Sequence, residues 1–375
     1  MAETNGAGAL TVLVGVTSRS WGGNEKWASE AATGLKRRGH RVSVFWSHDE
    51  IERELARRGL EGRRIRLWGD VNPAGLFSLL RLMRDVRPDV VILTKQREYW
   101  MGGLLAPLAR RPLVVLRQGL NRPLANDLKR RLAFGTFADA VIVNSNLAKE
   151  TLLASPWLDP EKVVVLMNGV RSEPPVIERG ESFIRSAGVP TGAPIVAAAG
   201  RLTSQKGFDI LIEAFATVAD ARPSAVLLIL GEGGQRATLE REVRSRGLAE
   251  RVLIPGHTDH VRDVLAVSDV YALSSRNEGM ANTLLEAMSV GAPIAATDVS
   301  GTREAIRPGV DGLVVPPDDP AALASAILKL LEDRSLASRL GASARSRAIE
   351  QFPRERMITE LESLIRDRLA GRAGG

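Results

Sequence analysis

The segment PIVAAAGRLTSQKGFDILIEAFATV, residues 194–218, changes its hydrophobic period once, and that change decides the fold. Pro194–Ala199 is a short continuous apolar run, the pattern of a strand buried on both faces. From Phe208 onward the period lengthens, and Phe208, Leu211, Ile212, Phe215 and Val218 share one face of a helix. A second apolar run, Ala225–Leu230, follows. Strand, helix and strand in succession describe one unit of a parallel sheet covered by helices.

The same alternation continues along all 375 residues. Upstream lie seven strand-like runs: 10–16, 41–46, 64–68, 89–94, 112–117, 140–143 and 163–166. From residue 194 there are six: 194–199, 225–230, 251–254, 269–272, 293–296 and 312–315. Residues 171–194 separate the two sets with four prolines, three glycines and little periodicity, which reads as a linker carrying at most a helical turn near 182–186. After residue 317 the pattern is helical to the last amphipathic piece, 354–369, which follows a break at Phe352-Pro353. The α/β class with two Rossmann-like, doubly wound domains follows. A length near 375 suits two cores better than one. In open α/β sheets ligands bind beyond the carboxyl ends of the strands, so two such domains facing each other would enclose a central cleft.

Composition narrows the chemistry. Cysteine is absent, which excludes a disulfide scaffold, a thiolate metal site and a cysteine nucleophile, and suits a cytoplasmic protein. The four histidines lack zinc-site spacing. No run approaches the length of a membrane span, and Leu10–Val16 reads as a first strand rather than a secretion signal. The net charge of +7 is unevenly placed: residues 1–180 hold 28 Lys and Arg against 19 Asp and Glu, and residues 181–375 hold 23 against 25. The basic half points to an anionic partner, either nucleic acid or an acidic membrane surface, unless its basic pairs are merely solvated helix faces. Aromatic residues are only 4% of the chain, too few for a nucleic-acid stacking platform.

Two loops carry candidate chemistry. After the strand ending at Gly200, Arg201 and Lys206 flank a loop that opens a helix, and two cations beside a helix N-terminus can hold a diphosphate. The plainer alternative is two solvated basic residues. The second loop, Ser274–Met288, carries Glu278 and Gly279, then a helix expected to start with Asn282 as its N-cap and to carry Glu286 one turn in. Backbone N–H groups of Met280, Ala281, Asn282 and Thr283 would then point at a ligand. Gly279 would allow its close approach, Glu286 could accept from a ribose diol, and Glu278 could bind sugar hydroxyls. Two ordinary surface glutamates are the alternative.

Glu278 and Glu286 eight residues apart, preceded by Gly200-Arg201-Leu202 and Lys206-Gly207, resemble the retaining family 4 glycosyltransferases (glycosyl transferases group 1) of GT-B fold. Gly22-Gly23-Asn24-Glu25, Gly39-His40-Arg41-Val42, Val143-Asn144-Ser145 and Met167-Asn168-Gly169-Val170 match the first half of that pattern. Gly231-Glu232-Gly233, Pro255-Gly256 and Gly312–Pro316 match the second. The resemblance implies an acceptor-side domain over 1–178, a nucleotide-sugar donor domain over 190–353, and a C-terminal helix, 354–375, packing back toward the first. It implies catalytic roles for Glu278, Arg201 and Lys206, and donor binding by Gly22, Gly23, Gly279–Thr283 and Glu286. The reaction implied is sugar transfer from a nucleotide-sugar donor to a glycan or lipid-linked acceptor with retention, without metal or other cofactor. The setting implied is envelope polysaccharide or lipopolysaccharide synthesis, in the cytoplasm or peripherally at the inner face of the membrane. Relatives often place a histidine after the strand 112–117. This sequence has Arg117 there, read as a contact to phosphate or acceptor, or as a structural arginine.

Among rival enzymes, a Rossmann oxidoreductase needs Gly-x-Gly-x-x-Gly after the first strand, and the sequence after Val16 lacks it. A non-catalytic nucleotide-sugar or anionic-lipid binding protein of the same fold is the non-enzymatic alternative, against which the intact Glu278, Glu286, Arg201 and Lys206 argue. His257 is placed either near a nucleotide base or on a surface loop, and His40 is read as a helix cap.

Overall fold

The computed structural model describes residues 8–67 and 72–373. Two compact units divide the chain, residues 1–167 with 355–375 and residues 168–354. The first is built on a parallel sheet of β1 (Thr11–Val16), β2 (Arg41–Trp46), β3 (Gly62–Arg64), β4 (Val90–Leu93), β5 (Leu113–Gln118), β6 (Ala140–Val143) and β7 (Val163–Val165). The second contains β8 (Ile195–Ala199), β9 (Val226–Leu230), β10 (Val252–Gly256), β11 (Val270–Leu273), β12 (Ile294–Thr297) and β13 (Leu313–Val315). The strand orders are β3-β2-β1-β4-β5-β6-β7 and β10-β9-β8-β11-β12-β13. Every pairing is parallel. Each order reverses once, between β1 and β4 and between β8 and β11, and the carboxyl ends at such a reversal are where an open α/β sheet takes its ligand.

Alternation along the strands explains the layers. In β4, Val90 and Ile92 pack against the helices Gly23–Arg37 and Asp49–Arg57 and the C-terminal helix, while Val91 and Leu93 join a second core on the other face. That second core is covered by the helices Pro73–Val86 and Gln96–Leu105, the π-turn Arg131–Phe137 and the helix Asn146–Leu153. In the second unit, the helix Phe208–Ala221 buries the face read from the sequence: Phe208, Leu211, Ile212, Phe215 and Val218 are all in the core. Each such side chain contributes about 1.5–3 kcal/mol, which anchors this helix firmly against β8 and β9.

Outside the candidate site, the structure departs from the sequence reading in two places. The third strand spans Gly62–Arg64 rather than 64–68. Its pairing ends where β2 ends, because the Ser47 hydroxyl takes the Ile65 carbonyl at 2.7 Å and closes the ladder. Ile65 and Leu67 are buried outside any strand, and Trp68 lies outside the described residues. The stretch read as a linker belongs to the second unit, where Ile177–Ser186 is a helix. Val176 N–H donates to the Asp263 carboxylate at 2.9 Å, and Arg179 pairs with the same group. His40 closes its helix through its backbone, whose N–H donates to the Leu35 carbonyl at 3.2 Å, while its side chain turns elsewhere. Its Nδ1 accepts from Leu10 N–H at 3.1 Å, and its Nε2 lies 3.2 Å from Glu362.

The C-terminal helix Arg354–Ala373 buries Met357, Ile358, Leu361 and Ile365 against the first unit. Arg38 bonds to Glu362 and Thr359 on the same helix. Among the described residues, no helix is long and apolar enough to cross a membrane.

Candidate active site

In the second unit the sites read from the sequence come together at the β8–β11 reversal. Arg201 follows β8, and Lys206 closes a one-turn 3₁₀ helix, Ser204–Lys206. Glu278 sits on the loop after β11 and is nearly buried. The Lys206 ammonium donates to the Glu278 carboxylate, and the Ser275 hydroxyl donates to the same oxygen at 3.0 Å.

The two loops are stitched into one body. Gly207 takes φ +61°, and a Cβ there would come 2.1 Å from the Ser274 carbonyl oxygen, so only glycine lets the loops approach this closely. The Ser274 hydroxyl donates to the Lys206 carbonyl at 2.9 Å, Arg276 N–H to the Gln205 carbonyl at 2.8 Å, and the Gln205 amide to the Asn277 carbonyl at 2.7 Å. Arg276 then grips Asp209 through two bonds of 2.9 and 2.7 Å and Asp318 through one of 2.6 Å. Partial burial disfavours the ionised Asp209 carboxyl, yet the Arg276 hydrogen bonds outweigh it and hold the group below the usual carboxylate range. Asp209 in turn is the first cause of the raised Arg276 pKa.

The segment Gly279–Thr283 is fixed from three further sides. Thr297 donates to the Ser275 carbonyl at 2.7 Å, and the Asn168 amide donates to the Met280 carbonyl at 2.8 Å. The Tyr271 hydroxyl donates to Thr283 at 2.8 Å, and burial raises the Tyr271 pKa, keeping it a neutral donor. The helix Asn282–Val290 starts one residue earlier than expected: Ala281 is the cap, its carbonyl accepting from Leu284 and Leu285 N–H, and Asn282 is the first helical residue. Glu286 stands one turn into this helix and is buried. His257 is exposed on its loop, 3.6 Å from Asp259.

In the first unit, Gly22 and Gly23 open the helix Gly23–Arg37 that follows β1. Beneath them lies a cluster that sequence reasoning missed. Glu25 is fully buried, accepts from the Ser18 hydroxyl and lies 2.7 Å from the Lys95 ammonium. Glu98 is also fully buried, and accepts from Thr17 N–H and Thr94 N–H, both at 2.7 Å, and from Lys95 N–H at 3.1 Å. Burial raises its pKa against those donors. Glu98 thereby ties the end of β1 to the end of β4, the two strands at the reversal. A glutamate three residues after Lys95 at a helix start was the available signal.

Arg117, read either as a contact to phosphate or acceptor or as a structural arginine, is enclosed. It is 2% exposed, its guanidinium stacks 4.5 Å from the Trp27 ring centre and donates to Asn24, and burial lowers its pKa to about 10. What it holds is the first turn of the helix behind Gly22 and Gly23.

Comparison with known proteins identifies the family. Residues 181–347 match the model for glycosyl transferases group 1, and residues 21–173 match that for glycosyltransferase family 4. A lipopolysaccharide core biosynthesis glycosyltransferase, LpsE of Rhizobium meliloti, is 30% identical over 74% of this chain and 76% of its own. The chain belongs to the group 1 glycosyltransferases. A second relative of this family, the 2-deoxystreptamine N-acetyl-D-glucosaminyltransferase of Streptomyces fradiae, is 33% identical over 75% of this chain and 76% of its own. The GT-B fold is seen in Anabaena HepE in complex with UDP-glucose, with a TM-score of 0.85 at 20% identity over 96% of this chain and 100% of that one. A glycosyltransferase from Rickettsia africae gives a TM-score of 0.84 at 21% identity, over 97% and 99% of the two chains.

Proposed function

We propose that this glycosyltransferase moves a hexose from a nucleotide-sugar donor to a glycan or lipid-linked acceptor of an envelope polysaccharide, retaining the anomeric configuration and using no metal or other cofactor. The observation that carries the reading is the Lys206–Glu278–Ser275 group, clamped to the loop Gly279–Thr283 at the reversal of the second sheet. Breaking a glycosyl–phosphate bond builds negative charge on the departing nucleoside diphosphate. Arg201, Lys206 and the helix amides near Asn282 supply fixed positive potential for it, the service a metal would otherwise give. A diphosphate competes with Glu278 for the Lys206 ammonium, and Glu278 is then released to accept from sugar hydroxyls. Glu286 serves the ribose. Retention follows from attack on the face the diphosphate leaves, with its oxygen taking the acceptor proton, so no second catalytic carboxylate is needed.

The relatives support the envelope setting, since LpsE and the mannosyltransferase LpsB of the same organism are named for lipopolysaccharide core biosynthesis. We place the enzyme in the cytoplasm, peripherally at the inner face of the membrane. The test is proton NMR of the product formed with and without EDTA. An α-linked product from an α-linked donor, at an unchanged rate in EDTA, is expected. A β-linked product would overturn retention, and loss of turnover in EDTA that magnesium restores would overturn metal independence.

A further inference from the structure

Tyr271 stands in β11, the strand paired with β8 on one side and β12 on the other, and its register partners are Ala197 and Ile294. Its strand neighbours Val270 and Ala272 belong to the core that the helix Phe208–Ala221 covers. By alternation the Tyr271 ring therefore crosses to the other face of the sheet. There its hydroxyl meets Thr283 Oγ1 at 2.8 Å. Tyr271 is fully buried, whereas Thr283, the second residue of the helix Asn282–Val290, is half-buried.

Burial fixes which of the two hydroxyls donates. Among the described residues, Thr283 is the single partner of the Tyr271 hydroxyl. A bond running the other way would leave the phenol proton enclosed with no acceptor, at the full cost of an unmade hydrogen bond. Burial, opposed by the Thr283 hydrogen bond and assisted by the Glu278 carboxylate, raises the Tyr271 pKa, so the phenol keeps that proton. Tyr271 donates and Thr283 accepts. The Thr283 proton is thereby turned away from Tyr271, and among the described residues nothing accepts it. Side chains in a helix lean toward its N-terminus, which sets this hydroxyl beside the first-turn amides and the loop Gly279–Thr283. An oxygen that accepts from a phenol also makes its own proton a stronger donor.

We propose that Tyr271 is a positioning residue, which holds the Thr283 hydroxyl so that its proton is donated to the diphosphate of the nucleotide-sugar donor. The proposal rests on the reading that the loop Gly279–Thr283 takes that diphosphate, and it adds a side-chain donor to the backbone amides. A hydroxyl bonded to a phosphate oxygen is a charge-assisted donor, roughly twice as strong as a neutral one. Its contribution grows as the glycosyl–phosphate bond breaks and charge collects on the departing diphosphate. It therefore serves turnover more than ground-state binding.

Three variants separate positioning from packing. Tyr271→Phe removes one oxygen and leaves the ring in place. Thr283→Val removes the donated proton and leaves the phenol without its acceptor, and the double variant removes both groups. Titration calorimetry with UDP, GDP and ADP finds the nucleotide that binds the parent, and its nucleoside, titrated by NMR, is the phosphate-free probe. Thr283→Val should weaken binding of the diphosphate about tenfold or more, and Tyr271→Phe about three- to tenfold. The two effects should not add in the double variant, because both act through one hydroxyl. Nucleoside binding should stay within about twofold in all three. In Thr283→Val, kcat should fall by a larger factor than diphosphate affinity. That variant should also melt a few degrees lower, and the double variant should regain this stability while its diphosphate binding stays weak. Thr283→Ser, which returns the hydroxyl, should recover diphosphate binding. Equal losses for nucleoside and diphosphate, additive effects, or unchanged diphosphate binding in Tyr271→Phe would overturn the proposal and leave Tyr271 a packing residue, with the donor site intact. Failure of the parent to bind any of the three nucleotides would overturn the donor-site reading and the proposal with it.

Discussion

Replacing Gly301 by alanine tests whether the loop Gly279–Thr283, the proposed donor loop, is held in place as tightly as its contacts imply. Gly301 precedes the short helix Thr302–Ala305 with φ −83° and ψ −4°, a conformation alanine adopts without strain. On backbone grounds alone the change should stabilise by about 0.4–1 kcal/mol through the unfolded chain. Space decides otherwise. A Cβ at 301 would stand 1.9 Å from the Gly279 carbonyl oxygen and 2.7 Å from Met280 Cα, both backbone atoms of the donor loop. Ordinary contact needs roughly 3.4 Å or more, so the two segments must separate by more than about 1 Å. Thr297 and Asn168 tether the loop on either side of Gly279, and the strain has no flexible side chain to absorb it. Overpacking of this kind costs about 1–3 kcal/mol, and a 1 Å misplacement of a positioning group costs roughly a hundredfold in rate. We expect Gly301→Ala to lower kcat/KM for the donor about a hundredfold, with a melting temperature at or a few degrees below that of the parent. Gly234→Ala, where a Cβ meets nothing within 4 Å, is the control and should change neither. Steady-state kinetics with the active donor read the outcome. If Gly301→Ala keeps its kcat/KM within twofold, the loop is not held in the way described.

Other expectations follow from the same contacts. Lys206→Ala leaves Glu278 nearly buried without its ion-pair partner, so donor turnover should fall by a factor of about 100 or more, read as nucleoside diphosphate release. Arg117→Lys keeps the charge but loses the planar stack on Trp27. A cost of about 2 kcal/mol should lower the melting temperature of the first unit by roughly 4–8 °C, and an unchanged melting curve would show that Arg117 does not hold that helix. Asp311 is fully buried and bonded to Arg307 and Ser343. Burial opposes its ionisation, but those bonds win and lower its pKa to about 2. A depressed carboxyl stabilises the fold above its unfolded value near 3.8 and loses that contribution as pH falls toward 2. Asp311→Asn should therefore remove at most about 2 kcal/mol at neutral pH, screening at the half-exposed Arg307 included, and flatten acid unfolding between pH 4 and 2.

Much of the fold was legible because parallel strands buried on both faces leave continuous apolar runs, as in Ala225–Leu230, now β9. Where the reading slipped, pairing decided rather than composition. Gly62–Arg64 is polar throughout, and only its ladder with β2 makes it a strand. The helix Ile177–Ser186 is framed by prolines and glycines, and what orders it is Asp263, some eighty residues away. In the second unit, Lys206, Glu278 and Glu286 stood out as charged residues beside helix starts. The struts that position them, Arg276, Tyr271 and Gly301, carry no local pattern, because each acts on residues remote in sequence. Arg117 stood open between a ligand contact and a structural arginine for a related reason: only tertiary packing shows Trp27 and Asn24 enclosing it.

The central claim, that the second unit binds a nucleotide sugar through Arg201, Lys206, Glu278 and Glu286, is tested most directly by thermal shift against a panel of nucleotide sugars and their free nucleoside diphosphates. A ligand at about 100 times its Kd adds about 2.7 kcal/mol of stability. The account predicts a clear rise in melting temperature with at least one nucleotide sugar and its diphosphate, abolished in Lys206→Ala and reduced in Glu286→Ala. A flat response across the panel, or a shift that survives both substitutions, would contradict it.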